Sequence, residues 1–229
     1  MESDERSDPA QTRPRSHEPR RRPETPPPIR YGAMARRAPE GPFAFDSLVP
    51  GEGPRELEVG FGRGRFLLER ARAAPGSRLL GIEIKAKWAH LVEERRKREG
   101  LAHVVALAGD ARQILPRLGP DGALARVFLH FPDPWWKKRH AKRRVLDDDF
   151  LDQVVRLLAP GGELFVQTDV EDRAAQMRER IEAHGPEESR SFLVRPGFDG
   201  PNPYGARSNR EARADEDGLP VYRVLAIRS

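Results

Sequence analysis

The sequence contains no cysteine. That excludes a disulfide framework, a cysteine-bound zinc and a thiol nucleophile, and it suits a reducing compartment. Long apolar runs are missing too: no stretch approaches the ~18 consecutive apolar residues of a membrane-spanning helix. The opening segment MESDERSDPAQTRPRS lacks the apolar centre of a secretory signal. A cytoplasmic protein without a membrane partner is expected. The six histidines show no ligand spacing, so no metal site is expected. No internal repeat is evident.

What is present is charge. Of 229 residues, 41 are Lys or Arg and 36 are Asp or Glu, a formal net charge of +5. A basic balance suits a polyanionic partner such as nucleic acid. The length accommodates one α/β domain and a tail. Residues 1–40 hold eight prolines, nine arginines and seven acidic residues. With almost no large apolar side chains, such a segment cannot offset its ordering entropy, and a disordered tail is expected. It is either a plain solvated extension or a basic arm that brushes an RNA backbone. The folded domain is expected over residues 41–229.

Within that domain apolar runs alternate with helical patterns. Strands are predicted over 55–59, 78–84, 103–107, 125–131 and 162–168. Helices are predicted over 64–74, 86–98, 111–118, 147–158 and 170–183. Weaker strands follow near 191–194 and 220–227, and residues 207–217 read as a polar loop. Alternation of this kind implies a mainly parallel, doubly wound sheet with helices on both faces and an antiparallel strand near the C-terminus. Ligands of such sheets sit beyond the C-terminal strand ends.

Three motifs fall at those ends. The first is Leu57-Glu58-Val59-Gly60-Phe61-Gly62-Arg63-Gly64, an apolar strand running into alternate glycines. Glycine lets a backbone turn sharply and approach a ligand without a Cβ clash. A dinucleotide fingerprint would need glycine where Arg65 stands. The G-x-G-x-G spacing after an acid resembles the Rossmann-like class I methyltransferases that use S-adenosylmethionine (SAM). A tight turn with no ligand is the plainer alternative. The second motif is Gly81-Ile82-Glu83, whose carboxylate can accept both hydroxyls of a ribose, or can simply cap a helix. The third is Gly109-Asp110-Ala111, where Asp110 is a helix N-cap, a contact for an adenine amine, or both.

The most specific stretch is Phe131-Pro132-Asp133-Pro134-Trp135-Trp136-Lys137-Lys138-Arg139-His140-Ala141-Lys142-Arg143-Arg144. Two prolines fix φ on either side of Asp133. Aromatic rings come next, and six of the eight residues from Lys137 to Arg144 are Lys or Arg. Stacking surface beside phosphate-binding charge suits RNA with an unstacked base.

The string F-P-D-P-W-x-K-K-R-H-x-K-R-R resembles the bacterial tRNA (guanine-N7-)-methyltransferases, and the resemblance runs from about Phe43 to the C-terminus. It implies SAM as methyl donor and tRNA as partner, with guanine 46 of the variable loop as target. By matching motifs it implies SAM contacts from Glu58, Gly60, Gly62, Gly64, Glu83, Asp110 and Asp133. Asp133 is nearest the chemistry. Lys137 and Asp169 match substrate contacts. The family's C-terminal motif T-[KR]-[FY]-E finds its best match in Ser208-Asn209-Arg210-Glu211, which keeps Glu211 outright but lacks the aromatic. Glu211 is expected to accept from the guanine edge.

Guanine N7 already exposes a lone pair, so catalysis can rest on positioning. Asp133 is assigned to orientation and to stabilising the developing positive charge, not to obligatory proton abstraction. Two alternatives remain open: a methyltransferase acting on another RNA or amine, and a non-catalytic RNA-binding protein on the same fold. Monomer and homodimer are both compatible with the sequence.

Overall fold

The computed structural model describes residues 30–132, 145–195 and 200–229. After a short α1 (Tyr31–Met34), β1 (Phe43–Ala44) and α2 (Phe45–Leu48), the alternating units begin. They are β2 (Arg55–Val59), α3 (Arg65–Ala73), β3 (Arg78–Glu83), α4 (Ala86–Arg98), β4 (Val104–Ala108) and α5 (Ala111–Ile114). A 3-10 turn (Leu115–Arg117) leads to β5 (Leu118–Gly119), then β6 (Leu124–His130), α6 (Asp148–Leu157), β7 (Leu158–Thr168) and α7 (Glu171–Ala183). The chain closes with β8 (Phe192–Val194), α8 (Asn209–Glu216) and β9 (Tyr222–Arg228).

Seven strands form one sheet in the order β4-β3-β2-β6-β7-β9-β8. β2, β3, β4, β6 and β7 run parallel, and β9 is antiparallel to both of its neighbours. The chain reverses direction across the sheet between β2 and β6, so the C-terminal ends of these strands frame a crevice there. This is the Rossmann-like class I methyltransferase architecture, with the reversed strand near the C-terminus as expected.

Residues alternate between faces along each strand. Leu57, Val59, Leu80 and Ile82 point into one core with Phe150, Leu151 and Val154 of α6 and Ile181 of α7. Leu79 of β3 and Ala106 of β4 point the other way, against Leu67, Leu68 and Ala71 of α3 and Val92 of α4. Phe66, Phe128, Phe165 and Tyr204 continue that second face as an aromatic cluster. β3 and β4 are buried along their whole length, as strands covered on both sides must be.

The second face also buries two carboxylates two residues apart on β2. Glu56 takes both fork nitrogens of Arg70, at 2.7 and 2.8 Å, together with Arg126 at 3.0 Å and Ser77 at 3.1 Å. Bidentate pairing of this kind saturates the carboxylate at the start of the strand. Glu58, at the end of the strand, faces the crevice.

Two sequence expectations need correction. The boundary near residue 40 falls inside a packed segment. β4 is an edge strand with unpaired backbone groups; the Ala108 N–H donates to the Arg36 carbonyl at 2.7 Å, Arg37 bridges Ala108, and Ala35 is buried. Backbone pairing orders a stretch whose side chains gave no sign of it. The polar loop predicted over 207–217 is largely helix α8. Ser208 and Glu211 close a capping box at its N-terminus, which satisfies backbone donors that a polar sequence would otherwise leave to water.

Candidate active site

A cavity of about 610 Å³ opens at the C-terminal ends of β2, β3, β4 and β6, within the range of small-molecule sites. The glycine turn after β2 forms its floor. Gly60 and Gly62 have φ of 74° and 55°, and a Cβ on either would meet nothing within 4 Å. Their bare backbones face open space. Gly64, expected to bind cofactor, does something else. A Cβ there would lie 2.5 Å from Val92 Cγ2, so its missing side chain is what lets α3 pack on α4. It does not line the cavity.

Glu83 is buried at the end of β3. Its Oε2 accepts the Gly62 N–H and its Oε1 accepts the Lys85 N–H, each at 2.8 Å. A carboxylate has about four acceptor sites, so one on each oxygen is left for paired hydroxyls. Asp110 caps α5 by accepting the Arg112 N–H at 3.0 Å, and it lines the cavity as well. Ile84, 65% exposed, and the half-buried Trp88 add an apolar wall, with the Arg63 guanidinium 5.0 Å from the Trp88 ring centroid.

Glu58 closes the inner end. Its Oε1 is 2.9 Å from His130 Nδ1, and both side chains are buried. Glu58 Oε2 has no hydrogen-bond partner among the described residues. A cavity-lining glutamate with one unpartnered oxygen, and a second whose two oxygens each keep an acceptor site, fit an ammonium and a ribose of one ligand. The residues therefore fit SAM.

β6 ends in strain. Phe131 has φ of 47°, a region that a bulky residue enters at about 1–3 kcal/mol. The Phe131 N–H donates to the Gln167 carbonyl at 2.7 Å, which holds the turn. Phe131 and Pro132, which open the F-P-D-P motif, line the cavity, and so does Val145, which follows the basic run. Asp133, Lys137 and the basic run to Arg144 lie outside the described residues.

The C-terminal motif divides. Ser208, Asn209 and Arg210 line the cavity. Arg210 pairs with Asp169, its Nε 2.8 Å from Oδ2 and its Nη2 closer still, so the two substrate-contact candidates meet beside the site. Glu211 does not reach it. It is 1% exposed, and Oε2 accepts from Gln167 Nε2 at 2.9 Å, Asn202 Nδ2 at 3.1 Å and the Ser208 N–H at 3.3 Å. Oε1 accepts from Arg223 Nη2 at 2.8 Å. The sequence leads one to expect Glu211 at the guanine edge; in the structure both of its oxygens are engaged in holding α8 to β7 and β9.

Among the cavity residues outside the set expected from the sequence are His130, Phe131 and Trp88. His130 lies two residues beyond Phe128, the partner of Glu58 on β2, hence on the same face, a placement that the strand register supplies.

Comparison with known proteins agrees with this geometry. The family described as "Putative methyltransferase" matches residues 52–223. A tRNA (guanine-N(7)-)-methyltransferase of Anaeromyxobacter dehalogenans is 42% identical over 177 residues, 77% of this chain and 87% of the relative. Its Myxococcus xanthus counterpart is 36% identical over 189 residues, 82% and 90% of the two chains. Among solved structures, the 16S rRNA methyltransferase KamB superposes with a TM-score of 0.57 at 16% identity, covering 81% of this chain and 92% of its own. The aminoglycoside resistance methyltransferase NpmB1 gives 0.52 at 21%, covering 80% and 91%. At those identities the structures speak for the fold, and the relatives for the family. The chain belongs to the tRNA (guanine-N(7)-)-methyltransferase family.

Proposed function

We propose that this protein methylates N7 of a guanine in tRNA, namely guanine 46 of the variable loop, in the cytoplasm. The observation that carries the reading is the cavity at the strand ends, bordered on both sides by the chain that enters and leaves the F-P-D-P-W-x-K-K-R-H-x-K-R-R motif. The names of its relatives support N7 of a tRNA guanine as the target.

When bound, SAM supplies an electrophilic methyl group on a sulfonium. The chain's residues have three tasks. Glu83 and Asp110 hold the nucleoside end, and Glu58 holds the amino-acid end, over the open backbones of Gly60 and Gly62. Asp133 orients the guanine and offsets the positive charge that grows on its ring as the N7 lone pair takes up the methyl group. No proton leaves N7, so none of these carboxylates has to act as a base. Lys137 and the basic run hold phosphates, and Asp169 with Arg210 borders the base.

The test is methylation of paired tRNA transcripts that differ only at position 46. Transfer to guanine-46 tRNA and loss of transfer to the adenine-46 transcript are expected. Equal transfer to both would overturn the position and leave the reaction class standing.

A further inference from the structure

Glu58 lines the cavity, and its pair with His130 holds one carboxylate oxygen while the other, buried, has no hydrogen-bond partner among the described residues. We infer that His130 is a positioning residue that sets Glu58 to receive the ammonium group of SAM, and the inference rests on the cofactor reading above. A carboxylate only accepts, so His130 Nδ1 carries the proton in the 2.9 Å contact with Glu58 Oε1. That bond fixes the rotation of the carboxylate and leaves Oε2, buried and unpartnered among the described residues, as its unused acceptor. Aromatic rings surround the imidazole. Phe66 lies 4.1 Å away between centroids, Phe128 stacks at 5.9 Å, and Phe165 meets it edge-on at 6.1 Å. Glu56, on the same face of β2, shows the contrast: four donor nitrogens or hydroxyls saturate it, and it faces no ligand. His130 Nε2 is also unpartnered among the described residues, so the two ring nitrogens make different predictions.

Three variants separate them. His130→Phe fills the aromatic cluster but cannot donate. His130→Asn places an amide near the Nδ1 position, and His130→Gln places one near Nε2. The probes are S-adenosylhomocysteine, which carries the amino-acid end, and 5′-methylthioadenosine, which lacks it. Calorimetric titration of the full chain should show S-adenosylhomocysteine weakened about tenfold in His130→Phe, the worth of one charge-assisted hydrogen bond. Binding of 5′-methylthioadenosine should not change. Asn should restore the affinity and Gln should not. The double variant Glu58→Gln with His130→Phe should bind S-adenosylhomocysteine no worse than Glu58→Gln alone. Equal losses for both probes would mean that His130 only supports the fold, and overturn the inference. Unchanged S-adenosylhomocysteine affinity, or rescue by Gln, would overturn it as well. A wild-type protein that binds neither probe would remove the cofactor reading and this inference with it.

Discussion

Replacing Glu211 with alanine separates a structural carboxylate from a substrate-reading one. The side chain is 1% exposed and takes donors from Gln167, Asn202, Arg223 and the Ser208 backbone. Truncation leaves the Arg223 guanidinium, itself 11% exposed, without its carboxylate. Breaking a buried ion pair from one side costs about 3–5 kcal/mol, because the remaining charge stays desolvated. For a domain of this size each kcal/mol lowers the melting temperature by about 2–4 °C, so a fall of roughly 6–20 °C is expected. Glu211→Gln keeps an acceptor for the capping box but sets an NH2 donor against Arg223 Nη2 in place of a charged acceptor; about 1–3 kcal/mol is expected for it. Thermal melts followed by circular dichroism give both numbers, and S-adenosylhomocysteine titration below the transition checks that the cavity survives. An alanine variant that melts with the wild type but no longer methylates tRNA would refute the reasoning and return Glu211 to the guanine.

Gly64→Ala should destabilise the fold, since its φ is 73° and the new Cβ would meet Val92 at 2.5 Å; a Val92→Ala partner change should recover part of the loss in a melt. Glu83→Ala should weaken SAM binding by about 1.5–3 kcal/mol in a folded protein, and unchanged affinity would displace the ribose from Glu83. Replacing Lys142, Arg143 and Arg144 by alanine should weaken tRNA binding and lower the salt slope by roughly 0.7–0.9 for each phosphate no longer neutralised, while SAM binding stays intact. Asp133→Ala should cut the single-turnover rate with the fold preserved. Asp133→Asn should recover it if hydrogen bonding dominates and not if charge does; a rate rising tenfold per pH unit from 6 to 9 would instead require a general base.

The sheet was legible because its strands are apolar runs bounded by glycine, and because helix periodicity separates them. β2 and α4 fall where the sequence places them, from Arg55 to Val59 and from Ala86 to Arg98. α8 was not legible, although Ser208-x-x-Glu211 is the pattern of a capping box; the same residues also match a substrate motif, and one tetrapeptide cannot show which role holds. Arg36 and Ala35 gave no signal either, since backbone pairing at an edge strand leaves no mark on side-chain pattern. Gly60, Gly62 and Gly64 look alike in sequence. Only the position of Val92 on the next helix tells the third from the first two. Glu58 was legible as a strand-end acid, whereas its tie to His130 depends on the register between β2 and β6.

The most direct test of the central claim is to incubate the full chain with methyl-labelled SAM and bulk tRNA, digest the product and identify the labelled nucleoside by mass spectrometry. Label confined to 7-methylguanosine is predicted. Label in any other nucleoside, or none in tRNA when the same protein binds SAM, would contradict the account.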